Sequence, residues 1–271
     1  MLDILIVANW LLPLAYLAVL IDYGARFFLR TGDRGRSVLL PATLALHVLF
    51  LVALGLHLGR AVPANNYEML SALAAGTAMV YWLVELAGKD RRTGAFVLLA
   101  AFLLEYTAAV FLPRLDFTGT GPIQAWHSPR LHTVPAMVAY IAFTISAIHG
   151  LLHLLARRDL KRHRIGLLFD RLPPLETLGT MTWHAMLLGF GFMTAAILTG
   201  AVMFAAHPVG DGGMGAKTLS KILAGTAAWL IYGGAILGKA FGRWTADRVS
   251  RVAVVGFLVV VAMLVTGIVL S

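Results

Sequence analysis

Residues 175–206 read LETLGTMTWHAMLLGFGFMTAAILTGAVMFAA, and this stretch decides the fold. Its only ionisable side chains are Glu176, at its start, and His184. About 20 predominantly apolar helical residues cross the hydrocarbon core of a bilayer, so the segment is long enough to span it. Lipid offers the backbone no hydrogen-bond partners, so the segment must satisfy its own as a helix. Seven more stretches have this character, at 4–24, 38–58, 68–88, 94–112, 132–155, 220–239 and 251–270. The pattern predicts an all-α integral membrane bundle of eight transmembrane helices, forming one transmembrane domain over 1–271.

Composition excludes the soluble alternatives. Hydrophobic residues make up 59% of the chain and charged residues 13%, and the mean hydropathy is +0.83. A soluble domain with a polar coat cannot be built from these proportions. The first apolar stretch has no small-residue cleavage site after it and is followed by seven more, so it reads as a mature span rather than a signal peptide. Pro13 lies inside it. Without cysteine, the chain has no disulfide scaffold, thiolate nucleophile, covalently attached c-type haem or Cys-ligated cluster. No P-loop, dinucleotide-binding glycine pattern or nucleophile elbow occurs in a strand-to-helix context, and no internal repeat supports an inverted-repeat transporter.

The basic residues set the expected orientation. Arg26, Arg30, Arg34 and Arg36 follow span 1, and Lys89, Arg91 and Arg92 follow span 3. Arg157, Arg158, Lys161, Arg162, Arg164 and Arg171 follow span 5, and Lys239, Arg243, Arg248 and Arg251 follow span 7. Of the 22 Lys and Arg, these alternate loops hold 17, while the other side has only Arg60, Arg114, Arg130, Lys217 and Lys221. Both termini are therefore expected outside. The net charge of +9 reflects this asymmetry and attraction to anionic headgroups; no nucleic acid is needed to explain it. The basic segment 157–171 reads as a solvated or headgroup-bound connector.

Ionisable groups inside a membrane are costly and mark function, so each histidine is placed by depth. His47 and His184 each lie nine residues past the basic-side start of their spans, taken as 38 and 175, or about 14 Å deep at helical rise. Two imidazoles at one depth suit the axial positions of a b-type haem iron, although each could equally hydrogen-bond a neighbouring helix. On the other side His132 opens span 5, His57 closes span 2, His207 closes span 6 and His127 adjoins Trp126. A haem or metal there would find Arg60 and Arg130 near its propionates; ordinary interfacial anchoring is the alternative. His149 and His153 share a helix face without a carboxylate motif to complete a metal site. His163 reads as a solvated loop residue. Glu105, inside span 4, is a candidate proton relay, haem neighbour or interhelical hydrogen-bonding group. Glu85 and Asp22 lie near span ends, where exposure makes them less informative. The glycine-rich stretch 208–215 reads as a connector or lid, and runs such as Gly189, Gly191 and Ala195 permit close helix packing.

Several of these stretches also resemble a known family. PPLETLGTMTWHAMLLGFGFMTAAILTG at Pro173 to Gly200, AWLIYGGAILGKAFGRW at Ala228 to Trp244 and LHTVPAMVAYIAFTISAIHGLLHLL from Leu131 are similar to the cytochrome c assembly protein family. That family includes the CcsA and ResC haem-handling proteins and the HemX-like and YpjD-like membrane proteins. The resemblance places His132 on the family's outer haem-associated histidine, and His47 and His184 on histidines of the YpjD-like branch. The tryptophan-rich outer motif of CcsA-type proteins is missing: its place is taken by HPVGDGGMGAKTLSK, where Lys221 alone matches. The Leu237 to Lys239 region carries no histidine where the family has one, and neither does the closing VTGIVLS.

The resemblance thus implies a haem-binding or haem-handling protein of the bacterial inner membrane, related to cytochrome c assembly and closest to the HemX-like and YpjD-like branch. The complete haem-lyase motif of an enzyme is not there. Non-covalent haem b is the expected cofactor, with His47, His132 and His184 as binding residues and His47 and His184 as axial ligands. Expected partners are membrane lipid and other cytochrome c maturation or redox membrane proteins. Two other classes fit the residues, a di-haem electron-transfer subunit and a non-haem accessory subunit of a membrane complex.

Overall fold

The computed structural model describes residues 2–29, 37–59, 63, 65–88, 91–112, 128–163, 166–206 and 216–269. Among them are nine helices and no strand: α1 (Leu2–Leu29), α2 (Leu39–Leu58), α3 (Asn66–Gly88), α4 (Gly94–Phe111), α5 (Ser128–Lys161), α6 (Leu167–Arg171), α7 (Leu175–Ala206), α8 (Ala216–Ala240) and α9 (Ala246–Val269). Eight of them overlie the eight apolar stretches, and α6 is a single turn in the basic connector. Seven, α1 to α5, α7 and α8, are long and apolar enough to cross a membrane. The eighth stretch lies on α9, whose side chains are described only as far as 263. That described part opens with Asp247, Arg248 and Arg251, which keeps it outside the seven. His127, His207, Arg60, the side chains of Arg130 and Lys221, and the 208–215 stretch lie outside the described residues.

The chain divides into two compact units, Met1–Trp126 and His127–Ser271. In the first, α1 packs against α2 and α4, and α3 against α2 and α4. Helix α1 runs through Pro13 and buries Leu5, Asn9, Leu12, Tyr16, Val19, Tyr23 and Phe27. As far as Tyr23 these recur at alternating steps of four and three, the seam that faces partner helices, and Phe27 follows one turn on. Asn9, Tyr16 and Tyr23 thus stand at successive levels of one stripe. Leu5 and Leu12 meet Phe50, Leu54, Leu58 and Leu112 to form the unit's apolar end. Asn65 caps α3, its Oδ1 accepting from the backbone N–H of Tyr67 at 3.0 Å and of Glu68 at 2.9 Å, which satisfies two donors that the first turn leaves open. Helix α2 ends at Gly59, whose φ of 61° is the left-handed cap glycine adopts at least cost.

In the second unit α5 and α7 run alongside each other, with α9 against both and α8 against α7 and α9. Lipid gives apolar side chains no reason to leave it, so close packing and interhelical hydrogen bonds hold such helices together. Phe143 stacks on Tyr232 with ring centroids 3.9 Å apart, and a Cβ on Gly189 would lie 2.5 Å from the Phe143 ring. Only glycine lets α7 come this close to α5. Ser146 Oγ donates to the Thr182 carbonyl at 2.9 Å, Trp229 Nε1 to Thr194 Oγ1 at 2.9 Å and Tyr232 to the Ala253 carbonyl at 3.1 Å. Each bond of this kind contributes about 0.6 kcal/mol on average.

Candidate functional site

His132 sits in the second turn of α5 and is partly buried. Its Nδ1 lies 2.7 Å from the Ala196 carbonyl of α7. A carbonyl only accepts, so Nδ1 carries the proton and donates. That leaves Nε2 with the lone pair, the tautomer in which ligating imidazoles are held by a carbonyl behind them. The ring reaches this carbonyl because residue 200, one turn on, is glycine: a Cβ there would lie 2.9 Å from Nδ1 and 3.0 Å from Cε1. His132 therefore has a fixed ring and a fixed tautomer whose lone pair is on Nε2, for which no partner is recorded among the described residues.

His47, in the first unit, is held differently. It is fully buried, and both of its nitrogens have partners within the unit. Tyr16 Oη lies 2.9 Å from Nδ1 and Ser71 Oγ 2.9 Å from Nε2. Ser71 donates onward to Glu105 Oε2 at 2.8 Å, and His47 Nε2 is itself 3.5 Å from that oxygen. As the Ser71 hydroxyl donates its hydrogen bond to Glu105, its oxygen accepts from His47 Nε2–H, and His47 Nδ1 accepts from the Tyr16 hydroxyl. Four helices thus contribute to one chain whose donors all point toward Glu105. To ligate iron, His47 would have to release Tyr16 or Ser71, so in this arrangement it does not fit an axial position.

His184, on α7, is exposed, twelve residues before Ala196, or about 18 Å along the helix. His184 and His132 therefore stand at different levels of the second unit. His57 is partly buried in the last turn of α2, and His163 is an exposed turn residue with a φ of 51°. His149 and His153 are both buried on α5: His149 Nδ1–H donates to the Ile145 carbonyl of its own helix at 2.8 Å, whereas His153 Nδ1 has no hydrogen-bond partner among the described residues. Among the described residues no group of three His, Asp or Glu is placed to hold a metal ion.

The basic ends of both units are more ordered than charge alone suggests. Glu85, expected to be exposed, is buried: it accepts from Tyr23 at 2.5 Å and from Arg91 Nε at 2.9 Å. Arg157, expected in a solvated connector, reaches Asp247 at the start of α9, 2.7 Å away. Arg251 bonds the same carboxylate. Hydrogen bonding by Arg251, reinforced by the charge of Arg157, holds the Asp247 carboxyl below its ordinary value.

Of the buried chain, the sequence pointed to His47 and Glu105 but not to their connection. A signal was available: counted from the basic ends of their spans, Tyr16, His47 and Glu105 all lie about 12 to 17 Å deep. Ser71 lies on a different level by that measure and gave no signal.

Seven helices long and apolar enough to cross a membrane, joined by buried interhelical polar contacts, define a multi-pass membrane protein. The chain belongs to the Cytochrome C assembly protein family, whose family model matches residues 63–269. The match begins just before α3 and takes in the entire described second unit. No curated protein and no solved structure matches the chain significantly. Membership supports a role in cytochrome c biogenesis.

Proposed function

We propose that this protein binds and hands on haem in the membrane, with His132 as its iron ligand. The observation that carries this reading is the Nδ1–H bond from His132 to the Ala196 carbonyl, 2.7 Å long, which orients the ring and leaves Nε2 as a neutral donor. Haem supplies an iron centre with axial positions that accept such a nitrogen. A neutral ligand also avoids the cost of a buried charge. On the orientation read from the basic loops, His132 stands near the outer surface, where haem is passed on for cytochrome c assembly. The HemX-like and YpjD-like branch fits best, because the tryptophan-rich loop of the CcsA type is missing while the histidine is kept.

The bis-imidazole pair expected at His47 and His184 is the weaker alternative, since both His47 nitrogens already have partners. The same observation favours one haem over the two that a di-haem electron carrier needs.

Titrating haem into the purified apoprotein tests the reading. Replacing a ligand or its orienting group typically costs about 10–100-fold in affinity. His132→Ala is expected to weaken binding at least that much, and Gly200→Ala, which pushes the ring from its carbonyl, somewhat less. His163→Ala leaves binding unchanged. Equal affinity in wild type and His132→Ala would refute the assignment.

A further inference from the structure

We propose that the buried chain Tyr16, His47, Ser71 and Glu105 is a proton-loading site, in which Glu105 Oε1 takes up and releases one proton. The proposal rests on how the two carboxyl oxygens are treated. Oε2 accepts from Ser71 and lies within 3.5 Å of His47, while Oε1 is buried with no hydrogen-bond partner among the described residues. An ionised carboxylate leaves a charged oxygen uncompensated in a buried position, a cost of several kcal/mol that the donors to Oε2 offset only in part. A permanently protonated one would leave a hydroxyl donor unused. Neither state alone accounts for an Oε2 supplied with an ordered series of donors beside an Oε1 supplied with nothing.

The groups facing Glu105 are those of a switch between the two states. From α1 comes the Tyr16 hydroxyl, from α2 neutral His47 and from α3 Ser71. Glu68, one turn before Ser71 on the same face of α3, is also buried, and Asn65 holds its carboxyl at 2.7 Å. No Lys or Arg is among the described partners of Glu105. Loading is simple to balance: a hydronium ion gives its proton to Oε1, one O–H bond forms, one breaks and water leaves. The three donor bonds toward Oε2 persist in both states, so the chain stays assembled while its charge changes by one. His47 acts here as a positioning residue, its ring fixed by Tyr16 and passing that order through Ser71. The inference does not depend on haem at His132, which belongs to the other unit.

Infrared difference spectroscopy of the whole protein in nanodiscs, recorded across a pH titration, tests this. A protonated-carboxyl C=O band is expected to appear as pH falls, to vanish in Glu105→Gln and to persist in Glu68→Gln. Ser71→Ala removes one donor to the ionised form and is expected to tighten proton binding about tenfold, the equivalent of roughly 1.4 kcal/mol; it also serves if Glu105→Gln fails to assemble. A titrating band that survives Glu105→Gln, a carboxyl band that is constant or absent at every pH, or a midpoint unmoved by Ser71→Ala would overturn the proposal.

Discussion

An imidazole has two nitrogens, and what holds one determines what the other can do. In His132 a backbone carbonyl accepts the Nδ1–H hydrogen bond and leaves the lone pair on Nε2, whereas in His47 two hydroxyls hold both nitrogens. Sequence depth could not separate these cases, because it places a residue along a helix without revealing what neighbouring helices offer. Asp247 is a second instance in which partners rather than position set the chemistry. Because Arg251 and Arg157 depress its folded-state value, the stabilisation it gives is complete above the unfolded carboxyl value of about 3.9 and is lost as pH falls through the lower folded value. Melting temperature measured against pH is expected to fall through that acid window in wild type. Asp247→Asn is expected to cost about 1 kcal/mol at neutral pH and to flatten the acid dependence. An equally steep acid fall in the variant would remove Asp247 as its cause.

At the scale of helices, the positions of the apolar segments were legible because apolar length is a one-dimensional property. Thus 175–206 coincides with α7 and 38–58 with α2 to within a residue. Their neighbours were not legible. Runs of glycine announced close packing without saying against what, and the structure separates two glycines only two residues apart. A Cβ on Gly189 would collide with Phe143, while one on Gly191 would meet nothing within 4 Å. Gly189→Ala is therefore expected to destabilise the protein in detergent by about 1–3 kcal/mol through overpacking. Gly191→Ala is expected to be neutral or stabilising by up to about 1 kcal/mol, from helix propensity. Thermal melts of the two variants check this, and equal losses would show that the α5 to α7 contact is not as close as described. Glu85 teaches the same lesson from the opposite direction: its place near a helix end suggested exposure, but Tyr23 on another helix covers it.

For the molecule as a whole, the sequence supplied the class, helical and membrane-spanning, and the family resemblance supplied the direction of the functional reading. The 17 to 5 division of Lys and Arg between alternate loops predicts an orientation. Reporter fusions are expected to place the loops around Arg34, Arg91, Arg162 and Arg248 in the cytoplasm and both termini outside; a cytoplasmic signal at either end would contradict this. With that orientation, His132 would stand on the outer side and the Asp247 cluster on the cytoplasmic side. The central claim, that His132 holds haem iron, is tested most directly by the visible absorption spectrum of protein freshly purified from cells supplied with haem. Wild type is expected to show a Soret band that His132→Gly loses and that added imidazole restores. A band that persists unchanged in His132→Gly, or its absence from wild type, would contradict the claim.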